Sequence, residues 1–184
     1  VFHMEGRLPE RPLSPLWEEM ERMGCSLSQP DRNTIRCSGK LRPGTYTMDG
    51  GVSSQFITGL LFALSLIPGD TSLEITGTLE SQPYVTMTEA AMALFCAPNY
   101  HSPGKLTVEG DWSNSAFWLA SNALGNEISV TGLNPESVQG DRAVAKLLAN
   151  LQEYQTIDAA QIPDLIPILA VIAGCSKGAT FTNI

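Results

Sequence analysis

The sequence contains no run of basic residues. Its 11 Lys and Arg are scattered against 19 Asp and Glu, for a net charge of −8. Nothing supplies the wide cationic surface that a general nucleic-acid binder needs. Histidine occurs only 2 times, and the 4 cysteines (Cys25, Cys37, Cys96, Cys175) form no CxxC pair. That leaves no donor set for a zinc site and reads as four reduced thiols of a cytosolic protein. The longest apolar stretch, Phe56 to Pro68, is too short and too interrupted to span a bilayer. The opening VFHMEGRLPERP has neither the cationic nor the apolar region of a secretory signal. It does not begin with Met, so the sequence reads as a piece of a longer chain. GxxxxGK[ST] and GxGxxG are both missing, so a P-loop or Rossmann site is unsupported.

What is present suits a globular protein. The 184 residues are 43% hydrophobic and 16% charged, enough for one large domain or two small ones. SPLWEEMERMG predicts a helix with Ser14 as N-cap, Pro15 at the first helical position and Gly24 at the end. TIRCSG, GTYTMDG, TSLEITG, KLTVEG, EISVTG and GATFTNI read as strands. Helices are predicted after Ser53 and Ser54, and over TMTEAAMALFC, SNSAFWLASNALG, DRAVAKLLANL and DLIPILAVIAG. Short strands and helices alternate, so the fold class is α/β or α+β. One pattern recurs: a β-like segment ends near a glycine, a polar group follows, and an apolar helix starts. It appears in TYTMDGGVSSQFITGLLFAL, LTVEGDWSNSAFWLAS and VQGDRAVAKLLANL, and more weakly in IDAAQIPDLIPILAVI. This reads as one supersecondary unit used several times.

The polar helix starts carry the chemistry. A helix N-terminus presents unpaired N–H groups and a positive dipole end. In DGGVSSQF, Ser53 and Ser54 can add hydroxyls, Gly50 and Gly51 let the backbone approach, and Gln55 can donate an amide. The stretch is a phosphate cradle or simply a helix cap. In ESQPYV, Pro83 favours an extended Gln82. Ser81 is there a further hydroxyl donor and Tyr84 a flat surface, or the whole is a loop. In IPDLIP, Asp164 is an N-cap or a poised base. Asp111 and Asp141, each after a glycine, read as structural caps.

These stretches together resemble the 3-phosphoshikimate 1-carboxyvinyltransferases, or EPSP synthases, of the shikimate pathway. DGGVSSQF, SQPYV, SPGKLTVEGDWSNSAFWLA, SVQGDRAVAKLL and IPDLIPILAVIA occur in the family's order. The resemblance runs from LPERPLSPL to GATFTNI. It implies transfer of the enolpyruvyl group of phosphoenolpyruvate to a hydroxyl of shikimate 3-phosphate with release of phosphate. It implies no metal or organic cofactor, small-molecule substrates without nucleic acid or membrane, and a cytoplasmic enzyme. The implied fold has two lobes of repeated βαβαββ units, here incomplete, with residues 1–109 in the first lobe and 110–184 in the second.

The resemblance also assigns roles. Ser53, Ser54 and Ser81 would hold the phosphate of shikimate 3-phosphate. Gln55 would reach the ring side and the enolpyruvyl substrate, and Tyr84 would pack near the ring. Arg11 would grip phosphoenolpyruvate, for which a guanidinium fork is suited. Asp164 would bind the attacking hydroxyl and accept its proton.

Some of the family's pattern is absent. A lysine and an arginine belong before Val1, and a glutamate and a lysine beyond Ile184. Gln82 stands where many members carry a cation. LFCAPNYHSPG and LLANLQEYQTIDAAQ are shorter than usual at those joins. The 184 residues are therefore expected to be a central, inactive fragment. The alternatives are a non-catalytic anion-binding fragment, or a relative of the transferase that uses UDP-N-acetylglucosamine. Against the latter, Val1 to Glu10 lacks the reactive cysteine common there.

Overall fold

The computed structural model describes all residues from Val1 to Ile184, which form two compact units, Val1–Leu79 and Glu80–Ile184. No helix is long and apolar enough to cross a membrane.

The first unit opens with β1 (Phe2–His3) and α1 (Leu16–Arg22), followed by β2 (Cys25–Asp31) and β3 (Thr34–Gly39). β3 lies between β1 and β2, antiparallel to both. The predicted TIRCSG strand is β3. β2 was not legible, because CSLSQPD is polar and contains Pro30. It is an edge strand whose register shifts between Ser28 and Asp31, and such an irregularity at an edge tolerates proline. The helix at SPLWEEMERMG forms, but it starts at Leu16 with Pro15 in the cap position and no side-chain cap bond. Ser14 therefore lies one residue outside and does not cap it. Gly24 closes the helix at φ +111°, in the left-handed region that favours glycine.

β4 (Gly44–Asp49), α2 (Ser54–Leu64) and β5 (Thr71–Thr76) follow, and β4 pairs in parallel with β5. The alternation in GTYTMD turns Tyr46 and Met48 inward, where both are buried with Ile57 and Leu60 of α2. The buried phenol of Tyr46 donates to the carbonyl of Arg42 at 2.8 Å. Glu19 on α1 is buried too. It accepts two hydrogen bonds from Arg22 (2.8 and 2.6 Å) and one from the amide of Thr47 (2.6 Å), which ties α1 to β4.

The second unit contains α3 (Gln82–Leu94), α4 (Trp112–Ala123), α5 (Val144–Asn150), β6 (Gln155–Asp158), α6 (Ile166–Gly174) and β7 (Ala179–Thr182). Its core joins Trp112, Ala116 and Ala120 of α4 to Val144 and Leu148 of α5 and Leu169 and Ile172 of α6. β6 and β7 pair in parallel across α6. The boundary between the two compact units falls after Leu79. The amide of Ser81 bonds to the carbonyl of Ala160 (3.0 Å), and Pro83 packs on Gly140, so α3 belongs with the second unit.

Two predicted strands are absent: KLTVEG and EISVTG form no ladder. Asn122 is the physical reason at the second. Its side-chain amide takes both backbone groups of Ile128, the carbonyl at 2.8 Å and the N–H at 2.7 Å. An occupied residue cannot pair with a neighbouring strand. The first has no core to cover, since Val108 is 86% exposed. One backbone bond, Gly110 N–H to the carbonyl of Gly132 at 2.8 Å, links the two segments.

The two βαβ segments share a hydrogen-bonding scheme. Asp49 ends β4 and accepts from the amide of Gly51 (2.8 Å), and Asp158 ends β6 and accepts from that of Ala160 (3.0 Å). Gly50 N–H donates to the carbonyl of Thr76, the register partner of Asp49, at 2.9 Å. Ala159 N–H donates to that of Thr182, the partner of Asp158, also at 2.9 Å. Thr76 and Thr182 each donate a hydroxyl across to the carbonyl of the residue before the aspartate.

Candidate functional site

The residues singled out from the sequence fall into both units. In the first, Arg11, Ser53 and Gln55 line one cavity of about 1110 Å³, with Leu13, Trp17 and Phe56 among its apolar walls. Ser53 is the N-cap of α2, in extended backbone, and its Oγ accepts from the amide of Gln55 at 3.3 Å. The capping alternative for this serine is therefore realised, while its O–H remains a donor. Ser54 is the first residue of the helix. Arg11 is exposed and enters no ion pair, so its guanidinium is available to an anion.

The second unit holds Ser81, Tyr84 and Asp164. Pro83 sits in the first turn of α3, so Gln82 is helical and not extended. This corrects the loop reading of ESQPYV. Ser81 precedes the helix in a left-handed conformation, φ 54°, and its side chain makes no capping bond. Left-handed backbone at a serine is uncommon and is held here by neighbours. The amides of Ser81 and Gln82 bond to the carbonyl of Ala160 and to Oε1 of Gln161, at 3.0 and 2.9 Å.

Asp164 lies in the 3₁₀ turn Pro163–Leu165 before α6 and makes no capping bond. Its Oδ2 accepts instead from the hydroxyl of Tyr84 at 2.7 Å. Burial and then this hydrogen bond raise the Tyr84 phenol well above the ordinary tyrosine range, with Asp141 and Asp111 adding to the effect. The phenol thus stays protonated and donates.

Tyr84 also lines a cavity of about 430 Å³, together with Glu109, Asp111, Gln139 and Asp141 among others. Asp111 caps α4 as expected, accepting from the amides of Ser113 (2.9 Å) and Asn114 (3.3 Å). Asp141 does not cap. It is buried, Oδ2 accepts from the hydroxyl of Ser113, and Oδ1 has no partner. Burial raises its carboxyl above the usual carboxylate range, against the lowering effect of Ser113. Glu109 accepts from Ser137 (2.5 Å) and Gln139 (2.9 Å), and these bonds hold it below that range. The Glu109–Gln139 and Ser113–Asp141 links were not legible in the sequence, because 28 to 30 residues separate their partners. No group of three or more Cys, His, Asp or Glu is arranged to hold a metal ion.

The sequence matches the family described as EPSP synthase (3-phosphoshikimate 1-carboxyvinyltransferase) over residues 2–183. The 3-phosphoshikimate 1-carboxyvinyltransferase of Clostridium kluyveri is 36% identical over 212 residues, covering 98% of this chain and 50% of the relative. That of Clostridium acetobutylicum is 34% identical, covering 98% and 49%, and that of Clostridioides difficile 35%, covering 97% and 48%. The chain spans about half the length of the curated relatives it matches. The 212-residue alignment exceeds the 184 residues of the chain, so the Clostridium kluyveri relative carries residues inside the matched region that this chain lacks. The chain belongs to the EPSP synthase, or 3-phosphoshikimate 1-carboxyvinyltransferase, family.

Proposed function

We propose that this chain carries part of the machinery that transfers the enolpyruvyl group of phosphoenolpyruvate to a hydroxyl of shikimate 3-phosphate, releasing phosphate. The observation that carries this reading is the family match across residues 2–183, with the residue types the chemistry needs at the matching motifs. In the first unit, Ser53 and Ser54 donate hydroxyls to the phosphate of shikimate 3-phosphate at the positive end of α2. Arg11 holds phosphoenolpyruvate through its guanidinium, and Gln55 donates an amide to the substrates. In the second unit, Ser81 donates a further hydroxyl to phosphate, and Tyr84 lies against the ring. Asp164 accepts the proton of the attacking hydroxyl, because an alcohol attacks poorly until its proton has an acceptor.

The repeated-unit architecture belongs to the same proposal. The matched hydrogen bonds at Asp49 and Asp158 support a common βαβ ancestor for the two segments. Residues 1–109 then belong to a first lobe and 110–184 to a second by order along the family's chain, which is separate from the contact division at Leu79. We place the enzyme in the cytoplasm.

The 184 residues alone are proposed to bind shikimate 3-phosphate without turning it over, because the matched relatives are about twice as long. Calorimetry with shikimate 3-phosphate and a phosphate-release assay with both substrates test this. Binding that is weakened in Ser53→Ala, with no turnover, is expected. No binding would overturn the substrate reading, and measurable turnover would overturn the inactivity.

A further inference from the structure

The cavity of about 430 Å³ in the second unit is lined by acidic side chains that no cation balances. Glu109, Asp111 and Asp141 stand in its wall, and no Lys, Arg or His does. The Lys and Arg of this unit are Lys105, Arg142, Lys146 and Lys177. None of them enters an ion pair. Arg142 follows Asp141 in the chain, but it donates to the carbonyl of Pro135 at 2.6 Å. Hydrogen bonds from Ser137 and Gln139 favour the ionised form of Glu109. Asp141 is 4% exposed, and its Oδ1 accepts from no donor. A buried carboxylate oxygen without a partner is costly, and this one belongs to a side chain in the cavity wall.

We infer that this cavity is a binding site for a small organic cation, a primary alkylammonium, held by the carboxylates of Asp141 and Glu109. A cleft lined by one sign of charge concentrates the opposite ion. The volume lies within the roughly 300–1,000 Å³ of small-molecule sites. Two observations favour an organic cation over a bare metal ion. The acidic groups are not arranged to hold a metal. The wall also contains Tyr84 and Met87, which suit a short alkyl arm, and an aromatic ring face attracts a cation. An ammonium brings three N–H donors and no acceptor, which complements the unpartnered Oδ1. Asp111 contributes charge more than contact, because its carboxylate already accepts from the amides of Ser113 and Asn114 and from the Asn114 side chain. Burial raises the Asp141 carboxyl, and a cation beside it favours the ionised form again. Of the residues assigned to the anionic substrates only Tyr84 lines this cavity, so the inference does not rest on the enolpyruvyl reading.

The test titrates n-butylammonium chloride into the nitrogen-labelled 184-residue chain, with sodium chloride holding the ionic strength constant. The resonance to follow is the backbone amide of Trp112, which donates to Oε1 of Gln139 in the cavity wall at 2.8 Å. A saturable shift is expected in the wild-type chain. Asp141→Asn keeps the shape of the side chain and should bind about tenfold more weakly or worse, the worth of one hydrogen bond to a charged group. If that variant does not fold, Glu109→Gln takes its place with the same expectation. Neutral n-butanol should leave the resonance in place, and so should potassium chloride exchanged for sodium chloride. The inference is overturned if n-butylammonium gives no saturable shift. An equal shift with n-butanol would overturn it in favour of an apolar pocket, and an equal shift with potassium in favour of an inorganic ion. Binding by the folded variant as tight as that of the wild type would overturn the role of the carboxylate.

Discussion

The hydroxyl of Tyr84 donates to Oδ2 of Asp164 at 2.7 Å, between residues 80 positions apart in the chain. A phenol at the start of α3 thereby fixes the carboxylate that precedes α6. The bond leaves Oδ1 of Asp164 as the oxygen available to a further donor.

This bond has a consequence for alkaline stability. Burial, then the Asp164 bond, raise the Tyr84 phenol in the folded chain. A raised acid contributes stability that is complete below its unfolded value, about pH 10, and is lost as pH rises through the folded value. Urea unfolding in steps from about pH 8 to 11 should show the wild-type chain losing stability above about pH 10. Tyr84→Phe should lose less over the same range. Parallel curves for the two proteins would refute the assignment.

Asp141 should behave in the opposite way to a useful carboxylate. It is 4% exposed, with Oδ1 unpaired and with Asp164 and Asp111 as like-charged neighbours. Its raised carboxyl is accommodated best when neutral, so its contribution is present at acid pH and lost as pH rises. Asp141→Asn is therefore expected to be at least as stable as wild type at neutral pH, by up to about 1 kcal/mol, with the difference shrinking in acid. A large loss of stability in neutral buffer would show that the charge itself is needed.

Two glycines should respond with opposite sign to the same substitution. A Cβ at Gly110 would lie 2.8 Å from the carbonyl oxygen of Gly132, a backbone atom that cannot swing aside. Gly59, inside α2, has nothing within 4 Å of that position. Gly110→Ala should cost about 1–3 kcal/mol from overpacking. Gly59→Ala should gain up to about 1 kcal/mol from helix propensity. Thermal unfolding of both variants beside wild type would decide it, and a Gly110→Ala midpoint equal to wild type would mean that the close approach does not constrain the fold.

Much of the fold was legible where a local period coincided with a buried face. Tyr46 and Met48 alternate with threonines, and β4 forms. The apolar stripe after Ser53 gives α2, with Ser53 as its cap. The same alternation misleads at KLTVEG, where it faces solvent, and at EISVTG, where the Asn122 amide occupies Ile128. Pro83 shows the same limit: proline can precede a break or open a helix, and the neighbours of Ser81 decide for the helix.

By itself the sequence determined the class of fold and the family, because periodicity, caps and ordered motifs are written locally. Only the tertiary structure decided which side chains meet. Tyr84 with Asp164, Ser113 with Asp141 and Glu109 with Gln139 are contacts made by folding the chain back on itself. Their chemistry depends on burial and orientation, which no spacing along the sequence specifies.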